Sequence, residues 1–191
     1  MLFGETEIPG AWLIDIERHA DERGFFARTW CRREAAAHGL VADFAQNSVS
    51  YNSAAGTLRG LHYQWHPHGE AKVVQCLRGA IFDVIVDLRP DSPSFGRWLG
   101  TELTADSHRM LFIPEHVAHG FQTLAADTEV AYMISAFHRP DAARGIRHDD
   151  PALGIPWPLP VTHLSAKDKT WPTFAEQRSV WSPPAVAAYS P

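Results

Sequence analysis

Residues 80–86 read Ala-Ile-Phe-Asp-Val-Ile-Val and lead through Asp87 and Leu88 into Arg89–Gly96, RPDSPSFG. In the first stretch Phe82, Val84 and Val86 alternate with Ile81, Asp83 and Ile85, which is the period of two that a β-strand imposes. The second stretch carries the Pro, Asp, Ser and Gly residues of a turn. Outward from this pair the same grammar recurs. Thr57–Gln64, Lys72–Leu77, Trp98–Leu103, Met110–Ile113, Phe121–Leu124 and Glu129–Ala136 all read as strands, with turn residues between them. Short strands at a spacing of about 8 to 12 residues predict an all-β sandwich or barrel. The expected architecture is a jelly-roll β-barrel with short flanking helices. One helix is read, Arg32–His38, where Glu34 and three alanines precede the left-handed stop Gly39.

The chain has 191 residues, 45% of them hydrophobic, which is one domain's length and enough apolar material for a sizeable core. No repeat or low-complexity linker divides it, so a single domain over residues 1–191 is expected, with 173–191 as a tail following the surface. A net charge of -5 with scattered Lys and Arg argues against nucleic acid as a partner. Cys31 and Cys76 form no CxxC pair and read as reduced thiols. The N-terminal residues lack a signal-peptide pattern and no apolar run reaches the roughly 18 residues of a membrane span. The reading is therefore a cytoplasmic protein without a membrane partner.

Alternation also orients the polar side chains. Tyr132 shares a face with Val130, Ile134 and Ala136, so its ring is expected inside the barrel with its hydroxyl needing a partner there. His62, in Gly56–Gln64 (GTLRGLHYQ), lies on the face of Leu58 and Gln64. The residues alone leave two readings for such inward polar groups: structural satisfaction or exposure to a ligand cavity.

Seven segments, DERGFF (21–26), GTLRGLHYQ (56–64), KVVQCLRGAIFDVIVDLRPDSPSFGRW (72–98), IPEHVAHGFQTL (113–124), EVAY (129–132), DDPALGIPWP (149–158) and LSAKD (164–168), occur in one order over most of the chain. In that order and spacing the sequence resembles the dTDP-4-dehydrorhamnose 3,5-epimerase family. The resemblance implies a cupin-type jelly roll that works as a homodimer, with no metal or other cofactor, on a nucleotide-linked 4-keto-6-deoxyhexose. It implies His62 as the base, Asp168 as the carboxylate orienting it, Lys72 beside the keto oxygen, and Tyr132 as proton donor on the opposite face. Arg23 and Arg59 match positions that hold the pyrophosphate, and Gln46, Gln64, His119, His138 and Lys167 match further substrate contacts. The chemistry wants such a set, because a proton beside a ketone leaves an enolate that needs a base, charge stabilisation and a new proton.

Four positions depart from the family pattern: Arg28 and Ala143 stand where glutamates are usual, Ser48 where asparagine is common, and His138 where a tyrosine stacks on the base. Two other readings compete. A metal-dependent cupin could recruit His62, His66, Glu70 and His119, although Gln64 interrupts the His-x-His pair that such sites use. A non-catalytic sugar-nucleotide binding protein could use the same fold. For the homodimer, Ile8–Ile16 reads as an edge strand available for pairing across an interface.

Overall fold

The computed structural model describes residues 1–41 and 43–181. Its strands are β1 (Leu2–Glu5), β2 (Trp12–Asp15), β3 (His19–Asp21), β4 (Gly24–Phe26), β5 (Gln46–Asn52), β6 (Leu58–Gln64), β7 (Lys72–Arg78), β8 (Ala80–Asp87), β9 (Trp98–Thr104), β10 (Met110–Ile113), β11 (Val117–Thr123), β12 (Thr128–Ile134) and β13 (Ala143–Gly145). Two short helices, α1 (Arg32–Ala37) and α2 (Phe174–Trp181), and a 3-10 turn at Asp168–Thr170 complete it. The strands form a six-stranded sheet in the order β1-β2-β10-β7-β12-β5 and a five-stranded sheet in the order β13-β6-β11-β8-β9. The small β3–β4 hairpin stands apart from both. This is the jelly roll expected, a cupin-type barrel with small helices at its flanks.

Each face of β8 is buried against something different. Ile81 and Ile85 enter a core between the two sheets with Val74, Leu111, Ile113, Phe121 and Val130. Val84 and Val86 turn the other way, into a layer with Leu61, Tyr63, Leu153, Ile155 and Trp181. A third cluster, including Ala35 of α1 with Ile14, Val73, Met110 and Phe112, covers the outer face of the six-stranded sheet. Burying each such aliphatic or aromatic side chain contributes about 1.5–3 kcal/mol. The alternating strand is thus wrapped on one side by the barrel core and on the other by the C-terminal third.

Two expectations change. Ile8–Ile16 is not one edge strand: Pro9 and Gly10, the latter at φ +81°, form a turn, and only Trp12–Asp15 is extended. That strand lies between β1 and β10, so the free edges of its sheet belong to β1 and β5. The stretch 173–191 was expected to follow the surface, yet its described part is α2, with Gln177 and Trp181 buried. Trp181 donates its indole hydrogen to the Tyr63 hydroxyl (3.1 Å), Tyr63 donates to Gln177 (2.7 Å), and Gln177 donates to the Gly145 carbonyl (2.5 Å). This chain of bonds pins α2 to β6 and β13. Residues 182–191 lie outside the described residues. No helix among the described residues is long and apolar enough to cross a membrane.

Candidate active site

Where the two sheets diverge they leave a cleft of about 500 Å³, lined from β6, β11 and β13 on one wall and from β5, β7 and β12 on the other. His62 projects from β6. Directly across the β6–β11 register stands His119, so the two imidazoles are cross-strand neighbours. The strands approach closely beside them. A Cβ on Gly60, whose φ is +118°, would lie 2.5 Å from Gly120 Cα, so only glycine allows this contact.

Each histidine is held by its own carboxylate. His62 Nε2–H donates to Asp168 Oδ1 at 2.5 Å, a contact made 106 residues along the chain by the 3-10 turn. Asp168 is buried and also accepts from the Trp171 indole at 3.0 Å. Burial works to raise this carboxyl, but the hydrogen bond and charge of His62, with the Trp171 and Ser165 bonds, outweigh it and leave the group below the usual carboxylate range. With Nε2 committed as a donor, the lone pair of the neutral His62 ring lies on Nδ1. The second pair is deeper: His119 Nε2–H donates to Asp83 Oδ1 at 2.7 Å, and Asp83 Oδ2 is buried with no hydrogen-bond partner among the described residues. Truncating His119 alone would strand that carboxylate, at a cost of about 3–5 kcal/mol.

The facing wall carries Tyr132 and Lys72. Tyr132 packs against the inter-sheet core, as its alternation predicts, and its hydroxyl finds Ser50 on β5 at 3.3 Å. Burial pushes this phenol above its ordinary value, with the charge of Asp83 adding to the effect and the Ser50 bond and Arg59 opposing it. It is therefore protonated at neutral pH. Lys72 is largely buried and pairs with Glu70 at 2.8 Å, and both line the cleft.

Of the residues expected at the site, Arg59, His119, Gln46, Gln64, His138 and Lys167 also line this cleft. Arg59 spans from β6 to β5, donating to Asn52 (2.7 Å) and to the Tyr51 carbonyl (3.3 Å). Gln46 accepts from the His138 main chain at 2.9 Å. Gln64 is spent on main-chain partners, donating to His68 and Phe137 and accepting from Arg139, so it acts on the cleft by holding its loops. Arg23 lies outside this cleft, 84% exposed on the β3–β4 hairpin, where Asp21 two residues away holds its guanidinium. Ser48 and Ala143 line the cleft, whereas Arg28 is drawn to Glu34 at 3.0 Å. Asp83, Ser50 and Trp171 belong to the site and were not foreseen. Asp83 had a signal, a lone acid on the apolar face of Ile81 and Ile85.

The family model described as dTDP-4-dehydrorhamnose 3,5-epimerase matches residues 5–176. The dTDP-4-dehydrorhamnose 3,5-epimerase of Sinorhizobium fredii is 40% identical over 181 residues, covering 92% of this chain and 91% of the relative. The dTDP-4-dehydrorhamnose 3-epimerase of Streptomyces niveus is 38% identical over 182 residues, covering 94% and 87%. A crystal structure of the 3,5-epimerase of Bacillus anthracis with TDP and PPi bound is 41% identical with a TM-score of 0.87, covering 90% of this chain and 98% of that one. On motif order, fold and overall similarity together, the chain belongs to the dTDP-4-dehydrorhamnose 3,5-epimerase family.

Proposed function

We propose that this enzyme inverts C3, C5 or both in a nucleotide-linked 4-keto-6-deoxyhexose of the dTDP-4-dehydro-6-deoxyglucose type. The observation that carries the reading is one cleft in which a histidine bonded to a buried carboxylate looks out from one sheet and a partly buried, protonated tyrosine looks out from the other. His62 Nδ1 takes the proton from the carbon beside the ketone, and Asp168 holds the ring in the tautomer that leaves Nδ1 free and steadies the imidazolium. The electron pair moves onto the keto oxygen, where the Lys72 ammonium stabilises it. Tyr132 then delivers its proton to the carbon from the other face and is reprotonated from solvent, while the His62 imidazolium releases to solvent the proton it took. Inversion follows because the two groups work from opposite walls. Arg59 and Lys167 supply positive charge for the diphosphate. Incubation with dTDP-4-dehydro-6-deoxyglucose should give inverted product, read from proton NMR couplings; no conversion of this or the related nucleotide-linked keto sugars would overturn the reading.

The scheme uses no metal. Of the four residues a metal cupin could recruit, three are engaged, His62 with Asp168, His119 with Asp83 and Glu70 with Lys72, and His66 lies outside the cleft lining. Among the described residues no group of three or more His, Cys, Asp or Glu is gathered for a metal. Enzyme dialysed against EDTA should keep its full turnover. A loss restored by one added divalent ion would move the protein to the metal-dependent class.

The working unit proposed is a homodimer. β5 presents a free sheet edge beside the cleft with Val49 and Tyr51 exposed, and the β3–β4 hairpin carries exposed Phe25 and Phe26. Apolar groups at an open edge suit pairing with a second copy. Light scattering should give about twice the 21.3 kDa chain mass; a fully active monomer at micromolar concentration would contradict it.

A further inference from the structure

Asp168 Oδ1 accepts two hydrogen bonds, from His62 Nε2 at 2.5 Å and from Trp171 Nε1 at 3.0 Å. The second donor is fixed in place from several sides. Trp171 ends the 3-10 turn that carries Asp168, in an extended conformation, and Pro172 follows it. Its indole lies against Gly145, where an added Cβ would come 2.4 Å from Cε2 and 2.5 Å from Nε1. Gly145 is the β13 residue directly paired with His62 on β6. The indole also meets the His62 ring edge-on, with centroids 6.2 Å apart, and carries the Lys167 ammonium 4.8 Å from its own centroid. Trp171 therefore contacts both members of the pair and rests on the strand residue that registers with the histidine.

A carboxylate whose Oδ1 met only His62 would be freer to rotate about its Cβ–Cγ bond and change the angle at which it meets the imidazole. A neutral N–H fixed on the same oxygen removes that freedom and takes up part of the carboxylate charge without adding a competing acid or base. We infer that Trp171 is the positioning residue of the His62–Asp168 pair, and that position 145 is glycine because the indole must lie across it. The inference rests on the reading of His62 as the base. It concerns the tryptophan of this chain, which none of the proposed proton transfers uses.

Trp171→Phe keeps a ring over Gly145 and removes only the donor. It should fold, leave KM within about twofold of wild type and lower kcat about tenfold. In the substrate-free protein, the low-field proton resonance of the His62–Asp168 hydrogen bond should move, because the shared oxygen has lost its second donor. Gly145→Ala, which keeps the tryptophan but displaces it, should reproduce both effects. Combined with Trp171→Ala, the Gly145→Ala change should lower kcat less than about twofold further. An unmoved resonance with wild-type kcat in Trp171→Phe overturns the inference, as does full additivity of the two changes. The resonance is read without substrate, so it judges Trp171 even if turnover in a His62 variant were to remove His62 from the base role.

Discussion

His62→Ala is expected to lower kcat by about 10³ or more, roughly 4 kcal/mol of transition-state stabilisation, and to stop exchange of substrate protons with solvent. The side chain is partly exposed to the cleft, and Asp168 retains its bond from Trp171 when the imidazole goes, so the variant should fold. Asp168→Asn makes a finer cut. Its amide can present an N–H where the carboxylate accepted one, which favours the wrong imidazole tautomer; binding should survive while kcat falls about a hundredfold. Calorimetric titration with the nucleotide diphosphate separates loss of binding from loss of chemistry. Turnover by His62→Ala near the wild-type rate would end the assignment.

Tyr132→Phe is the second large effect, and it divides deprotonation from reprotonation. The change deletes one hydroxyl whose bond to Ser50 is long, at 3.3 Å, so the loss of stability should be about 1 kcal/mol. His62 still removes the substrate proton, but the enolate has no donor on the far face and recaptures a proton on the His62 side. In deuterated water the starting sugar should gain deuterium with retained configuration, while inverted product falls at least tenfold, or about 1.4 kcal/mol. If Tyr132 served only to fill the core, exchange and inversion would fall in parallel with the melting temperature. Inversion at the wild-type rate would refute the donor role.

Much of the barrel is legible in the chain because its strands alternate against a core. Residues 80–86 fall within β8, and Met110–Ile113 is bounded as expected. Tyr132 points inward as its neighbours require. Strands that lack apolar alternation were harder to see. β5 is QNSVSYN, a polar edge strand that exists through its register with β12. β11 begins at Val117 rather than Phe121 because pairing with β8 holds Ala118, His119 and Gly120 extended against weak intrinsic preference, and His119 pairs with β6 as well. α2 was hidden by the Pro and Ala that follow it, although Phe174, Gln177 and Trp181 share a helical face. Within the site, family resemblance assigned the 106-residue pairing of His62 with Asp168, which no local pattern encodes. It could not foresee that Asp83 would hold His119, since that depends on which partner folding brings nearest, whereas the Arg23–Asp21 pair, two residues apart, is local and was open to the sequence.

The most direct test of the central claim, that the enzyme moves a carbon-bound proton through an enolate, is to turn over dTDP-4-dehydro-6-deoxyglucose with the wild-type protein in deuterated water and follow it by proton NMR. Inverted product should carry deuterium at each inverted carbon, C3, C5 or both, and form without added metal or cofactor. Inverted product that retains its original hydrogen at those carbons would contradict it.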